Sequence, residues 1–151
     1  VNGAQRVLLC GEDVSEAIRA EEVGMATSAV SAHPPVRAFL LELQRGMART
    51  HDILMDGRDI GTVILPNASV KIFLTASAEA RATRRFRELQ EKGVDTDFET
   101  VLEDIRRRDY QDSHRATAPL RQAEDAVLVD TSEMDLEESF QALKSLILSR
   151  V

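Results

Sequence analysis

An α/β fold with a parallel sheet is predicted by three features of the sequence. Short apolar runs recur at residues 53–55, 70–74 (broken only by Lys71) and 126–129, too short for helices and without the regular alternation of a half-solvated strand. Amphipathic helical patterns of a dozen or more residues separate or follow these runs. Turn and capping residues, Asp56-Gly57, Ser77, Gly93 and Asp130-Thr131-Ser132, stand where the pattern changes. Strands that are apolar on both faces and alternate with helices belong to a sheet covered on both sides. With 151 residues, 43% of them hydrophobic, the chain is long enough for a sizeable core, and its length favours one domain.

In chain order, Val7-Leu8-Leu9-Cys10, flanked by Asn2-Gly3 and Gly11, reads as a strand in a small edge hairpin. Residues 15–31 are Ala-rich and weakly amphipathic, which predicts one or two short helices ending at His33-Pro34-Pro35. From Pro35, the residues Val36, Phe39, Leu40, Leu43 and Met47 share one helical face, with proline where a first turn tolerates it. The runs 53–55 and 70–74 are then expected as strands. Helices are expected over 77–92 and from Asp97 to about Asp112, the first closed by Gly93 and the second opened by the capping pattern Thr96-Asp97-Phe98-Glu99. The second has only a narrow apolar stripe, Phe98, Val101, Leu102 and Ile105, so the helical hairpin is expected to move as a lid. The run 126–129 leads to a last helix with Leu136, Phe140, Leu143 and Ile147 on one face.

A net charge of -7 and a pI near 5.0 argue against nucleic-acid polymers and anionic membranes as partners. Sixteen of the nineteen basic residues are arginine, whose planar fork suits small, discrete anions; ion pairs on the surface account for the same count. The single Cys10 allows no intrachain disulfide, and no apolar stretch approaches a membrane span, so a cytoplasmic protein is expected. His33, His51 and His114 lack metal-ligand spacing.

The sharpest local pattern is Met55-Asp56-Gly57-Arg58-Asp59-Ile60-Gly61-Thr62, where an apolar run passes into a loop. Ligands of open α/β sheets bind beyond the carboxyl ends of strands, so an arginine between two carboxylates is well placed there. Arg58 suits a phosphate; a carboxylate suits amino or hydroxyl donors, or magnesium through water. A solvated Asp-Gly turn fits the same residues. Nine arginines lie between Arg81 and Arg121, among them Arg84-Arg85, Arg106-Arg107-Arg108 and Arg115. Arg108 and Asp112 are four apart and share a helix face, and Arg81, Arg87, Arg106, Arg107 and Arg121 are expected in exposed ion pairs.

The order Gly11-Glu12-Asp13-Val14, Ser28, Pro35-Val36-Arg37, Asp56-Gly57-Arg58-Asp59-Ile60-Gly61-Thr62, Val70-Lys71-Ile72-Phe73-Leu74, Gln90-Glu91-Lys92-Gly93 and Arg115-Ala116-Thr117-Ala118-Pro119-Leu120 resembles bacterial cytidylate kinases over nearly the whole chain. These are nucleoside monophosphate kinases of the P-loop class. The resemblance implies transfer of the γ-phosphoryl group of ATP, with Mg2+, to CMP or dCMP. It implies that residues 1–50 form part of a monophosphate-binding insert, and 51–151 the core with a lid at about 84–115. Carried over residue by residue, Ser28, Arg37 and Asp59 correspond to the cytosine-reading set. Arg58 and Arg115 correspond to phosphate ligands, Arg108 and Asp112 to ribose contacts, and Arg84 or Arg85 to the ATP side. Cytosine presents an amino donor beside acceptors, which suits a carboxylate and a hydroxyl together with an arginine.

The 151 residues contain no GxxxxGK[ST], the loop whose amides and lysine cradle donor phosphates. The family would also place the strand feeding that loop between the runs 53–55 and 70–75. Those two runs are therefore expected not to pair directly, and the chain made alone is expected to be inactive and poorly soluble, loosely folded or self-associating. A full-length family member is expected to be a monomer. The alternatives are a pyrimidine-nucleotide-binding fragment without phosphotransfer, or a kinase of another monophosphate such as UMP or AMP.

Overall fold

A computed structural model describes residues 6–31 and 33–151, without the side chains of residues 21, 25 and 28. The chain divides into two compact units, Val1–Asp52 and Ile53–Val151.

The first unit opens with a hairpin of β1 (Leu8–Leu9) and β2 (Glu12–Asp13), paired antiparallel with Leu9 opposite Glu12. Its two-residue turn needs left-handed backbone at both positions, and Cys10 (φ 51°) and Gly11 (φ 88°) supply it. Asp13 fastens the hairpin: it accepts hydrogen bonds from the Ser15 hydroxyl at 2.6 Å and the Ser15 amide at 3.0 Å, and pairs with Arg6. After a 3-10 turn at Ala17–Arg19 come α1 (Glu21–Ser31) and α2 (Pro34–Thr50), the latter with proline in its first turn as expected. The face predicted for α2 is only partly covered within this unit. Val36 and Leu40 line a groove against Val23, Ala26 and Val30 of α1, whereas Phe39 remains 68% exposed.

In the second unit the only ladder among the described residues joins β3 (Ile72–Thr75) and β4 (Val127–Asp130). They run parallel, with Ile72 beside Val127 and Thr75 beside Asp130. The expected strand over 53–55 pairs with no other strand among the described residues, and Leu54 is 84% exposed. An apolar run forms a strand only where a partner meets its backbone groups, and none of the described segments does so here. It leads instead through the 56–59 loop into a π-helical turn, Ile60–Ile64.

The crossover from β3 to β4 contains α3 (Ala78–Glu91) and α4 (Phe98–His114). Ser77 caps α3 by accepting the Ala80 amide at 3.1 Å, and Gly93, at φ 71°, follows its end. The start of α4 differs from the expected box: Asp97, not Thr96, is the N-cap, and it accepts the Thr100 amide at 2.9 Å. A carboxylate at that position outbids the neighbouring hydroxyl because it also meets the positive end of the helix. The narrow stripe of α4 is buried against α3 rather than left loose. Ala82, Val101 and Leu102 form the core cluster, with Phe86, Leu89, Phe98 and Ile105 packed on it. Phe86 and Phe98 meet edge to face at 6.2 Å. Each large apolar side chain buried in this way contributes about 1.5–3 kcal/mol, so the two helices hold together as one body. After β4, α5 (Leu136–Leu148) begins with a full capping box between Asp135 and Glu138. No helix among the described residues is long and apolar enough to cross a membrane.

Candidate active site

The loop after Met55 carries the Asp-Gly-Arg-Asp pattern into the π-helical turn. The Asp59 carbonyl accepts the Val63 and Ile64 amides at 2.9 and 3.2 Å, which fixes the backbone of this residue. Its side chain is carried inward, and Asp59 is the one charged residue among the buried ones described, 7% exposed. π turns concentrate at functional sites, and a buried carboxylate is costly unless it is paired. A side chain at Gly57 would meet the Ile60 side chain at 3.0 Å, so any larger residue there requires Ile60 to shift.

Two arginine–carboxylate pairs join this loop to the end of α4. Arg58 donates through Nε to Asp112 Oδ2 at 2.7 Å, and Arg115 Nη2 lies 3.7 Å from Asp59 Oδ1. Asp112 therefore faces Arg58 across the loop. The chain beyond α4 is held close by Leu120, whose amide donates to the Asp112 carbonyl at 2.8 Å. Arg115 also donates through Nε to the Ala118 carbonyl at 2.6 Å, and Ala118 sits at φ 48°. A left-handed alanine costs about 1–2 kcal/mol, so the segment is held by its surroundings rather than by its own preference. Among the described residues, buried Arg115 Nη2 meets no hydrogen-bond acceptor. Buried donors are ordinarily satisfied, by protein groups or by ordered water.

Arg108 is exposed on α4. The neighbouring Asp109 carboxyl is held below the usual carboxylate range, first by hydrogen bonds from Arg81 and then by the positive fields of Arg81, Arg58 and Arg108. Arg81 is in an ion pair as expected, but with a partner on the other helix of the hairpin. Its guanidinium grips Asp109 in a two-pronged contact at 2.9 and 2.6 Å, while its Nε donates to the Ala76 carbonyl at the end of β3, at 3.0 Å. Sequence spacing offered no signal for this pair, whose members lie 28 residues apart on different helices.

At the carboxyl ends of β3 and β4 a second feature opens, a cleft of about 850 Å³ lined by residues including Ser77, Arg84, Arg87, Thr131 and Ser132. Arg84 crosses it to donate to the Thr131 and Met134 carbonyls, the latter at 3.0 Å. Arg85 is exposed and pairs with Glu88 at 2.8 Å on its own helix. Of the residues in the first unit, Arg37 is half-buried in the first turn of α2, and the side chain of Ser28 lies outside the described residues. No group of three or more metal-ligating side chains occurs among the described residues.

In a parallel α/β unit, arginines and carboxylates gathered beyond an apolar run stand where the ligands of open sheets bind. The family model described as cytidylate kinase matches residues 2–148, and the chain belongs to the cytidylate kinase family. It is 52% identical over 143 residues to a cytidylate kinase of Enterococcus faecalis, a match covering 95% of this chain and 63% of that protein. Against the cytidylate kinase of Aeromonas salmonicida the identity is 54% over 133 residues, covering 88% and 58%. With that of Caldicellulosiruptor bescii it is 50% over 146 residues, covering 97% and 65%. The chain thus spans about three-fifths of the length of these relatives.

Proposed function

We propose that this chain is the acceptor-binding body of a kinase that moves the γ-phosphoryl group of ATP onto CMP or dCMP. The observation that carries the reading is the pair of arginines, Arg58 and Arg115, held beside the carboxylates of Asp112 and Asp59, with a buried Arg115 N–H left without an acceptor.

In this reading Arg58 and Arg115 take the acceptor phosphate. The Arg58–Asp112 pair is partly exposed, with side chains 41% and 21% accessible, and such pairs contribute only about 0–1 kcal/mol. Asp112 takes only the Nε of Arg58, whereas a phosphate, with more charge, can take the guanidinium in a two-pronged contact and so competes for it. Asp112 is then free to accept from a ribose hydroxyl, with Arg108 beside it on the same helix. Asp59, together with Ser28 and Arg37, reads cytosine. Residues 1–50 serve as the monophosphate-binding part, 51–151 as the core, and about 84–115 as the lid. The work of the chain is to place an acceptor oxygen and neutralise its charge, which is most of what phosphoryl transfer asks of a protein.

ATP with Mg2+ would supply the transferred phosphoryl group and balance the charge of the donor phosphates. Arg84 or Arg85 approaches that side in this reading; Arg84 lines the strand-end cleft, and Arg85 pairs with Glu88. The residues present do not include the GxxxxGK[ST] cradle, so they account for the acceptor half of the reaction. A cytoplasmic, monomeric enzyme acting on free nucleotides is the corresponding setting. The test is calorimetric titration of the full-length gene product with CMP, dCMP and UMP, together with a coupled assay of ADP release. Tight binding of CMP and dCMP with ATP-dependent turnover is expected, and equal use of UMP would replace the reading with a broader pyrimidine kinase.

A further inference from the structure

The acceptor arginines and carboxylates are brought together by α4, yet α4 reaches the strand ends through only a few polar ties. Arg81 is the one that spans the whole distance. Its Nε holds the carbonyl of Ala76, a buried residue directly after β3, and its two terminal nitrogens hold Asp109 on α4. Asp109 is three residues before Asp112, on the same side of the helix, so the turn gripped by Arg81 is the turn that offers Asp112 to Arg58. The other ion pair across the hairpin, Arg106 with Glu79, is a single contact at 2.6 Å between side chains each 59% exposed, and touches no strand. We propose that Arg81 and Asp109 are positioning residues, a brace that fixes α4 against the end of β3 and so sets where Arg108 and Asp112 stand relative to Arg58.

The inference rests on the reading that those three residues bind the nucleotide. It makes a prediction opposite in sign to simple electrostatics. Asp109 sits among Arg81, Arg58 and Arg108, so removing its charge raises the positive potential at the phosphate site and, by charge alone, tightens an anion. As a brace, its loss lets α4 drift and weakens the nucleotide.

The experiment compares CMP affinity, by calorimetry, of the full-length gene product with Asp109→Asn, Arg81→Gln, the double variant and Arg106→Gln, each checked for its melting temperature. Each of the first two is expected to raise the Kd for CMP about tenfold, the scale of one lost charged hydrogen bond. The double variant is expected to be no weaker than the worse single one, because the two act as one unit. Arg106→Gln is expected to bind as the parent does, and the KM for ATP to stay within about twofold throughout. Unchanged or tighter CMP binding by Asp109→Asn overturns the brace, as does equal weakening by Arg106→Gln, which would mean general loosening of the hairpin. If Asp109→Asn does not fold, Arg81→Lys decides: it keeps the charge but loses the fork, and parental CMP binding by it overturns the proposal. A parent that binds no CMP removes the functional reading itself, whereas a parent that binds CMP with indifferent variants removes only this inference.

Discussion

Arg115 Nη2 stands 3.7 Å from Asp59 Oδ1, close enough to attract and too far to hydrogen-bond. The charges are paired while this donor meets no acceptor among the described residues. The flanking Nε, by contrast, is fully committed to the Ala118 carbonyl at 2.6 Å. The arginine is thereby aimed without being used up.

Arg58 offers the most direct check on the phosphate assignment. A hydrogen bond to a charged group contributes about 1.5–3 kcal/mol, and each 1.36 kcal/mol is about tenfold. Arg58→Ala in the full-length gene product is expected to lower kcat/KM for CMP by at least about tenfold. Steady-state kinetics with a near-parental value would take Arg58 out of the site.

Base selection is expected to depend on Arg37. Sites built on hydrogen bonds reject analogues that leave buried polar groups unpaired. Arg37→Met is expected to erode the preference for CMP over UMP, measured as the ratio of the two kcat/KM values. An unchanged ratio would assign base reading to other residues.

The hairpin core should dominate the stability of the second unit. Leu102 is 5% exposed and packs in the cluster with Ala82 and Val101. Leu102→Ala is expected to cost about 2–5 kcal/mol in urea unfolding. A loss below about 1 kcal/mol would mean that the α3–α4 interface is not the main core.

Acid sensitivity is expected at the end of α3. Glu88 is lowered to about 2, first by the Lys92 hydrogen bond and then by that of Arg85. A carboxyl whose pKa falls on folding contributes stability that is fully present above its unfolded value, near 4.5, and is lost as pH falls toward about 2. Glu88→Gln is expected to flatten that part of the stability curve, followed by thermal melts between pH 5 and 2. The residue is solvent-exposed, so the change should shrink in high salt. Identical curves for parent and variant would remove Glu88 as a contributor.

Local chemistry in the sequence was sufficient to locate the helices. Proline at the start of α2 marks a first turn because it has no amide to leave unpaired, and Ser77 before α3 marks an end through a hydrogen bond that acts over three residues. The run 53–55 shows where such rules stop, because strand formation depends on a partner that no local pattern supplies. The same limit applies at the site. Arg58 and Asp59 stood out beside a strand-like run, and the family resemblance added Arg115 and Asp112. Arg81 resembled any surface arginine until the fold brought it to Asp109 and Ala76.

Cys10 occupies the tip of the β1–β2 hairpin, in the tight turn, and is exposed. It is the sole thiol in these 151 residues. A maleimide dye or nitroxide added to this chain therefore attaches at one defined spot without any prior mutagenesis. That spot belongs to the unit that contains Arg37, while a second probe placed by substitution at exposed Tyr110 would ride on α4. Distances between the two labels, followed during a nucleotide titration, would turn the question of how the halves of this protein move into a spectroscopic one.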